Sequence, residues 1–250
     1  MLARCHAIYA GFTCCRACLW LHELALLVVL DAVLAQMLPR VHSTPHVAGA
    51  PLGRLLRDRP FPRYLVGQLC TQLAYNFVAS FLVLVLEGRS FHSPADGLAY
   101  FMAENAVLCV LLTFPVSHLL RRWRRTNAMA LSGLVSAAGL VLVAMSRDLG
   151  LLLCASFVFT LGEVMLAPTS SAYVATMAPP DLRTSYMAIA SLAMSLGNGL
   201  SPVVGGVILG ALGGTALYLF GAVVFVLSSV FFLWTGLAPV RASPAVAEDL

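Results

Sequence analysis

Lysine is absent from the 250 residues, and charged residues of every kind make up only 10% of them. With 60% hydrophobic residues beside so little charge, a water-soluble globule could not cover its apolar surface, and a disordered segment would need far more polarity. The 15 basic residues, all arginine, leave a formal net charge of +4, which is too small and too scattered for a nucleic-acid footprint. Of seven cysteines, Cys14, Cys15 and Cys18 include a C-x-x-C without a second pair, while Cys70, Cys109 and Cys154 sit in apolar runs. Neither a zinc site nor a disulfide framework is indicated. Also missing are His-Glu-x-x-His, Gly-x-Ser-x-Gly and a P-loop. An intramembrane hydrolase would further need a histidine at membrane depth, whereas His22 and His118 lie in a doubtful segment and at an interface. No catalytic residue, metal or cofactor is expected, and the chain does not read as an enzyme.

What the chain has is long apolar runs and a mean hydropathy of +0.89. About 20 apolar residues cross a ~30 Å hydrocarbon core, and six runs have that character: Tyr64–Leu86, Gly97–Leu119, Ala128–Met145, Leu149–Tyr173, Tyr186–Leu209 and Thr215–Trp234. Their connectors are short and carry Gly, Pro or charge, as needed where the backbone returns to water or headgroups. The fold class predicted is an all-α membrane protein, a six-transmembrane-helix bundle, with Leu19–Leu38 as a candidate seventh helix. That stretch has membrane length but contains His22, Glu23 and Asp31. A signal peptide fits less well, since Asp31 interrupts its core and the small-residue site at Ala48-Gly49-Ala50 lies too far downstream. The organisation expected is a tail over 1–18, the doubtful helix over 19–38, a Pro- and Arg-rich cytoplasmic linker over 39–63 with a short surface helix near Leu52–Arg59, the bundle over 64–234, and a cytoplasmic tail over 235–250.

Arginine placement orients the bundle, because cytoplasmic loops hold the excess of positive charge. Arg54, Arg57, Arg59 and Arg63 precede the first span, Arg121, Arg122, Arg124 and Arg125 fill the second connector, Arg183 lies in the fourth, and Arg241 follows the sixth. The intervening connectors balance Arg89 against Glu87 and Asp96, place Arg147 beside Asp148, or carry no charge around Gly210–Gly214. Both flanks of the bundle are therefore expected in the cytoplasm, with the protein in the inner (plasma) membrane. Trp123 and His118 beside the arginine cluster read as interfacial anchors.

Polar residues inside apolar runs carry what chemistry there is. Gln68, Gln72, Tyr75 and Asn76 share one helical face of the first span, so they either hydrogen-bond between helices or line a water-filled cavity. Glu104 and Glu163 lie within the second and fourth spans, where a carboxylate costs on the order of 3 kcal/mol and must hold a proton or find a donor. Each is a candidate proton-coupling residue, Glu163 the stronger because it lies far from both ends of its run. The competing readings are a Glu104 wetted from the outer side and a Glu163 that only fixes packing. Pro168 and the hydroxyls of Thr169, Ser170 and Ser171 follow Glu163. In the fifth span, Gly197, Pro202, Gly205 and Gly206 permit close contact and a bend, and Ser191, Ser195 and Asn198 extend a polar face suited to cavity lining or to packing.

From about Leu55 to Trp234 the chain resembles the C-terminal six-helix half of a major facilitator superfamily transporter, bacterial drug:proton antiporters in particular. Leu56-Arg57-Asp58-Arg59-Pro60-Phe61 resembles the entry to the family's seventh helix, and Pro115 through Arg125 is similar to the basic end of its loop motif. Gly162 through Pro168, followed by Ala178-Pro179-Pro180-Asp181-Leu182-Arg183, looks like the tenth helix and its loop, and Gly197 to Gly206 looks like the antiporter glycine-proline motif. Trp123 stands where the loop motif usually has glycine, that motif's acidic residue is absent, and Ser201 replaces a glycine before Pro202. The resemblance implies half of a twelve-helix fold whose substrate site lies between two halves, hence proton-coupled efflux of a small amphipathic molecule. Gln68, Gln72, Tyr75, Asn76 and Asn198 would line the site, and Glu163 and Glu104 would handle protons. The expected partners are the lipid bilayer, the substrate, protons and a second six-helix half, either the N-terminal half of a truncated or mis-started transporter or another copy. A non-transporting scaffold or degenerate transporter fragment is the alternative, with the polar groups serving packing alone.

Overall fold

The computed structural model describes residues 60–89, 93–179 and 182–237. The expected tail, the candidate helix Leu19–Leu38, the linker up to residue 59 with its surface helix, and the tail beyond residue 237 lie outside the described residues. Every element in the described part is helical: α1 (Pro60–Glu87), α2 (Pro94–Leu120), α3 (Arg125–Met145), α4 (Leu149–Met177) and α5 (Arg183–Gly236). All five are long and apolar enough to cross a membrane.

At 1.5 Å per residue the 54 residues of α5 would reach about 80 Å, far beyond one crossing. Gly213, at φ 84° and ψ 173°, breaks it, in backbone space that only glycine enters freely. The arms on either side, 183–212 and 214–236, are the fifth and sixth expected spans. Along the first arm Gly197 abuts Leu69 and Gln72, and Gly205 abuts Phe77 and Phe81, so this arm runs in the direction of α1. In the second arm Gly214 meets Val85, Gly221 meets Phe77, and Ser228 Oγ donates to the Gly67 carbonyl at 2.9 Å, so it runs back. Six crossings result, because the break at Gly213 divides α5 into two arms.

Boundaries follow local chemistry. Within the described residues α1 runs from Pro60, four residues before the expected span. Asp148 caps α4 by accepting from the Leu151 backbone N–H at 2.8 Å, one of the four donors a helix start leaves free. At the other membrane end Arg63 stacks 4.1 Å from the Trp234 ring centroid and donates to the Trp234 carbonyl at 3.3 Å. Arg124 donates to the Gly236 carbonyl, and Arg125 to the Ala172 carbonyl and Thr176 Oγ1. All four loop-motif arginines are exposed, and these two reach carbonyls near the ends of α5 and α4.

Packing divides into two apolar clusters. One gathers Phe77, Phe81, Leu140, Leu152, Phe159 and Phe225; the other gathers Phe61, Tyr64, Met129, Tyr173, Tyr186 and Phe232. Between them along α1, α3, α4 and the second arm of α5 fall the buried polar residues Gln68, Thr71, Ser132, Ser136, Thr160, Ser170, Ser228 and Ser229. Lipid tails are as apolar as leucine, so apolar burial drives helix association weakly, and close packing and interhelical hydrogen bonds must do more. This polar layer supplies such bonds, as when Thr71 Oγ1 and Ser228 Oγ approach to 2.6 Å.

Candidate functional site

The polar layer opens into a carboxylate site where α1, α2 and α4 meet. Glu163, midway along α4 and half-buried, accepts from the Tyr75 hydroxyl at 2.8 Å on Oε1 and from Asn105 Nδ2 at 2.8 Å on Oε2. Asn105 Nδ2 also donates to Thr160 Oγ1 at 2.9 Å, one turn before Glu163. The Cys109 side chain, one turn beyond Asn105 on α2, lies near the same carboxylate. Among the described residues no arginine reaches it, so neutral donors from two neighbouring helices take the place of an ion pair. A carboxylate held in this way keeps the option of binding a proton, which a buried ion pair would oppose.

Tyr75 is fixed from behind, its ring stacked on Phe159 with centroids 5.3 Å apart. A cavity of about 60 Å³ adjoins the site, walled by Tyr75, Val78, Phe101, Met102, Asn105 and Phe159. Glu104 lies one residue before Asn105 but faces a different environment. Its Oε2 is buried without a hydrogen-bond partner among the described residues, and Ser156 of α4 stands beside the carboxyl group.

The polar face of α1 divides between two neighbours. Tyr75 turns to α4, whereas Asn76 Nδ2 donates at 2.5 Å to Oδ1 of the exposed Asn198 on α5. Gln72, half-buried, abuts Gly197 on that same arm. Gln68 is only 2% exposed and takes a 3.4 Å hydrogen bond from Ser170, whose hydroxyl pairs with Tyr64 at 2.7 Å. Its position is that of a packed interhelical amide. Gly197 and Gly205 both press on α1, where a Cβ would come within 2.7 Å of the Leu69 carbonyl and 2.3 Å of Phe81; Gly206 faces open space. Pro202 lies inside the unbroken part of α5, and the adjacent Ser201 hydroxyl is buried without a partner among the described residues. Pro168 likewise leaves α4 continuous, and the hydroxyls of Thr169 and Ser171 bond back to the carbonyls of Met165 and Ala167.

Two residues gain importance only in three dimensions. Asn105 is one. The other is Arg89, which at the far end of the bundle donates to the carbonyls of Val143, Ala144 and Ser146 and to Thr215 Oγ1. Burial holds its guanidinium below the ordinary arginine range, and Arg147 adds to that effect, while Tyr218 opposes it. Depth in an apolar run was the available signal for Asn105; for Arg89 there was only its place at a helix end.

A family model described as Major Facilitator Superfamily matches residues 64–249. The chain belongs to the Major Facilitator Superfamily. It is a multi-pass membrane protein whose bundle corresponds to the C-terminal six-helix half of that fold. The chain is 25% identical over 166 residues to the uncharacterized MFS-type transporter YqjV of Bacillus subtilis (strain 168), covering 66% of this chain and 40% of that protein. It is 26% identical over 158 residues to the multidrug resistance protein MdtH of Cronobacter sakazakii, covering 62% and 38%. To a Na(+), Li(+), K(+)/H(+) antiporter of Planococcus maritimus it is 24% identical over 147 residues, covering 58% and 32%. The crystal structure of the E. coli fucose:proton symporter FucP superposes with a TM-score of 0.62 at 19% identity, over 74% of this chain and 44% of that one. The chain thus spans two fifths or less of the length of the three relatives matched by sequence.

Proposed function

We propose that the chain acts as one half of a proton-coupled secondary transporter in the inner membrane, with both flanks of its bundle cytoplasmic, exporting small amphipathic molecules. The observation that carries this reading is Glu163: a carboxylate at mid-membrane, half-buried, held by Tyr75 and Asn105 from two other helices and met by no cation among the described residues. Such a group can exchange a proton as its surroundings alternate between wet and dry. Glu104, with one buried oxygen that has no hydrogen-bond partner among the described residues, is a second proton candidate. Gln72, Asn76 and Asn198 lie together between α1 and α5 as substrate-facing amides, with Tyr75, next to Asn76 in the chain, shared between the two functions. The similarity to a cation/proton antiporter supports proton coupling, and beside it the similarity to a multidrug resistance protein leaves two substrate classes to compare.

A second six-helix half, from another chain or another copy, would cover the open side. Val110 and Phe114 on α2 are 81% and 82% exposed, and Val203 and Val207 on α5 are also open. The exposed Asn198 would otherwise face hydrocarbon, which is unfavourable.

The full chain in proteoliposomes under an imposed pH gradient tests the reading, with a lipophilic cation such as ethidium and, separately, Na+ and K+ as substrates. Substrate-dependent proton flux is expected in the wild type and is lost in Glu163→Gln. Unchanged flux in that variant would remove the proton role.

The packed Gln68–Ser170 and Thr71–Ser228 contacts favour a second reading, a scaffold whose polar groups only hold helices together. A folded wild type that shows no flux with any of these substrates would favour it.

A further inference from the structure

Glu163 presents its two oxygens to unlike donors, and the difference assigns them different tasks. An amide nitrogen only donates, and a carboxyl oxygen accepts best while it has no proton, so the Asn105 bond favours an unprotonated Oε2. A phenol both donates and accepts, so Tyr75 can keep its hydrogen bond to Oε1 whether or not that oxygen is protonated. Asn105 Nδ2 also donates to Thr160 Oγ1 at 2.9 Å, and the acceptor-only carboxylate of Glu163 sets the orientation of its amide. The proton therefore belongs on Oε1. The cavity that Tyr75 and Asn105 help to line, about 60 Å³, is several times the ~10–15 Å³ that one water requires. It offers a water two polar neighbours, Tyr75 and Asn105, within otherwise apolar walls. Asn105 Nδ2 is already committed to Thr160 and Glu163, which leaves Oδ1 to accept from that water.

We propose that this cavity is a water site and that Tyr75 relays protons between it and Glu163, with Asn105 as the positioning residue that directs protonation to Oε1. The inference rests on the reading of Glu163 as the coupling carboxylate. In the step, a hydronium in the cavity gives a proton to the Tyr75 oxygen as the Tyr75 hydroxyl proton passes to Oε1. The O–H bond of the hydronium and that of Tyr75 break, and one O–H forms on Tyr75 and one on Glu163. Water, neutral tyrosine and a protonated carboxyl group remain, with Oε1–H now donating to the Tyr75 oxygen. The reverse sequence returns the proton to the cavity. The titratable groups that face or adjoin Glu163 are Tyr75 from α1 and, from α2, Cys109 beside the carboxylate and Glu104 one residue before Asn105.

Infrared difference spectroscopy on the full chain after a pH jump tests the relay. The protonated-carboxyl band of Glu163 is identified by its loss in Glu163→Gln and separated from that of Glu104 by Glu104→Gln. Tyr75→Phe keeps the ring on Phe159, and it is expected to slow the appearance of the Glu163 band at least tenfold while leaving its final amplitude in place. Ala79→Leu, at an exposed residue of the cavity wall, fills the space from a different position and is expected to slow it likewise. An unchanged rate in Tyr75→Phe would overturn the relay while the band preserved the proton reading of Glu163. Slowing in Tyr75→Phe without slowing in Ala79→Leu would overturn the water site. A wild type with no titrating Glu163 band would instead remove the proton reading on which the relay stands.

Discussion

Asn105 Nδ2 reaches Glu163 Oε2 at 2.8 Å and Thr160 Oγ1 at 2.9 Å, so a single amide bonds α2 to two successive turns of α4. α2 is the least buried of the five helices, with 11% of its most apolar stretch covered, and it has few other polar ties to the bundle. One is the hydrogen bond from Ser156 Oγ to the Phe101 carbonyl at 3.2 Å. Asn105→Leu is expected to remove roughly 1–3 kcal/mol, because it strips a donor from a buried carboxylate oxygen and leaves that oxygen unsatisfied. Adding Glu163→Leu to it should cost much less than the sum of the two single changes. Thermal unfolding in detergent measures all three variants, and strictly additive losses would mean that the pair is not coupled.

Arg89 gives a second test, at the opposite end of a helix. The last carbonyls of α3 have no partners within the helix; one terminal nitrogen of Arg89 donates to the Val143 and Ser146 carbonyls, and the other to the Ala144 carbonyl and to Thr215 Oγ1 just after the Gly213 break. A planar fork of fixed donors suits that task and an ammonium group does not. Arg89→Ala is expected to lower stability by about 1.5–3 kcal/mol, and Arg89→Lys should recover less than half of the loss. Full recovery by lysine would show that only the charge matters.

The crossings were legible because a ~30 Å apolar slab demands about 20 apolar residues, a signal that every one of the six runs carries. The hairpin between the last two was legible only as a glycine-rich connector. That a single residue, Gly213, makes the break depends on φ, which composition does not reveal. Among the site residues, depth alone marked Glu163. The helical spacing of Gln68, Gln72, Tyr75 and Asn76 identified one face of α1, but a face as wide as this one contacts both α4 and α5. Spacing within a helix cannot say which neighbour each residue meets. Asn105 was missed as a partner of Glu163 for the same reason, since their hydrogen bond depends on how α2 seats on α4. The arginines read as topology signals also hold helix ends, a use visible only once the carbonyls of Ala172, Trp234 and Gly236 lie beside them.

Gly213 combines φ 84° with ψ 173°, a region almost closed to residues with a Cβ. Strain of this kind costs about 1–3 kcal/mol. No heavy atom outside the immediate chain lies within 4 Å of where its Cβ would stand, so Gly213→Ala tests backbone conformation without a clash. A drop in thermal stability of that size is expected, whereas Gly206→Ala, equally open in space but without a positive φ, should be neutral or slightly stabilising through its better helix propensity. Equal behaviour of the two variants would contradict the turn.

Gln68 and Asn198 separate packing from substrate contact. Gln68 is sealed against Ser170 and Tyr64, and replacing it with leucine removes a neutral interhelical bond of the kind worth about 0.6 kcal/mol on average and up to ~1.7. Transport per folded molecule should stay within about twofold, because nothing that enters the bundle would touch it. Asn198 is exposed and its partner Asn76 is only half-buried, so Asn198→Leu should shift stability by no more than roughly 0.5 kcal/mol. A substrate-facing amide lost at that position should nonetheless change flux, or its dependence on substrate, by more than a binding-neutral site would allow. If the exposed amide proves silent and the sealed one decisive, the order of roles along the α1 face is reversed, and the passage lies on the α4 side of α1 instead of between α1 and the first arm of α5.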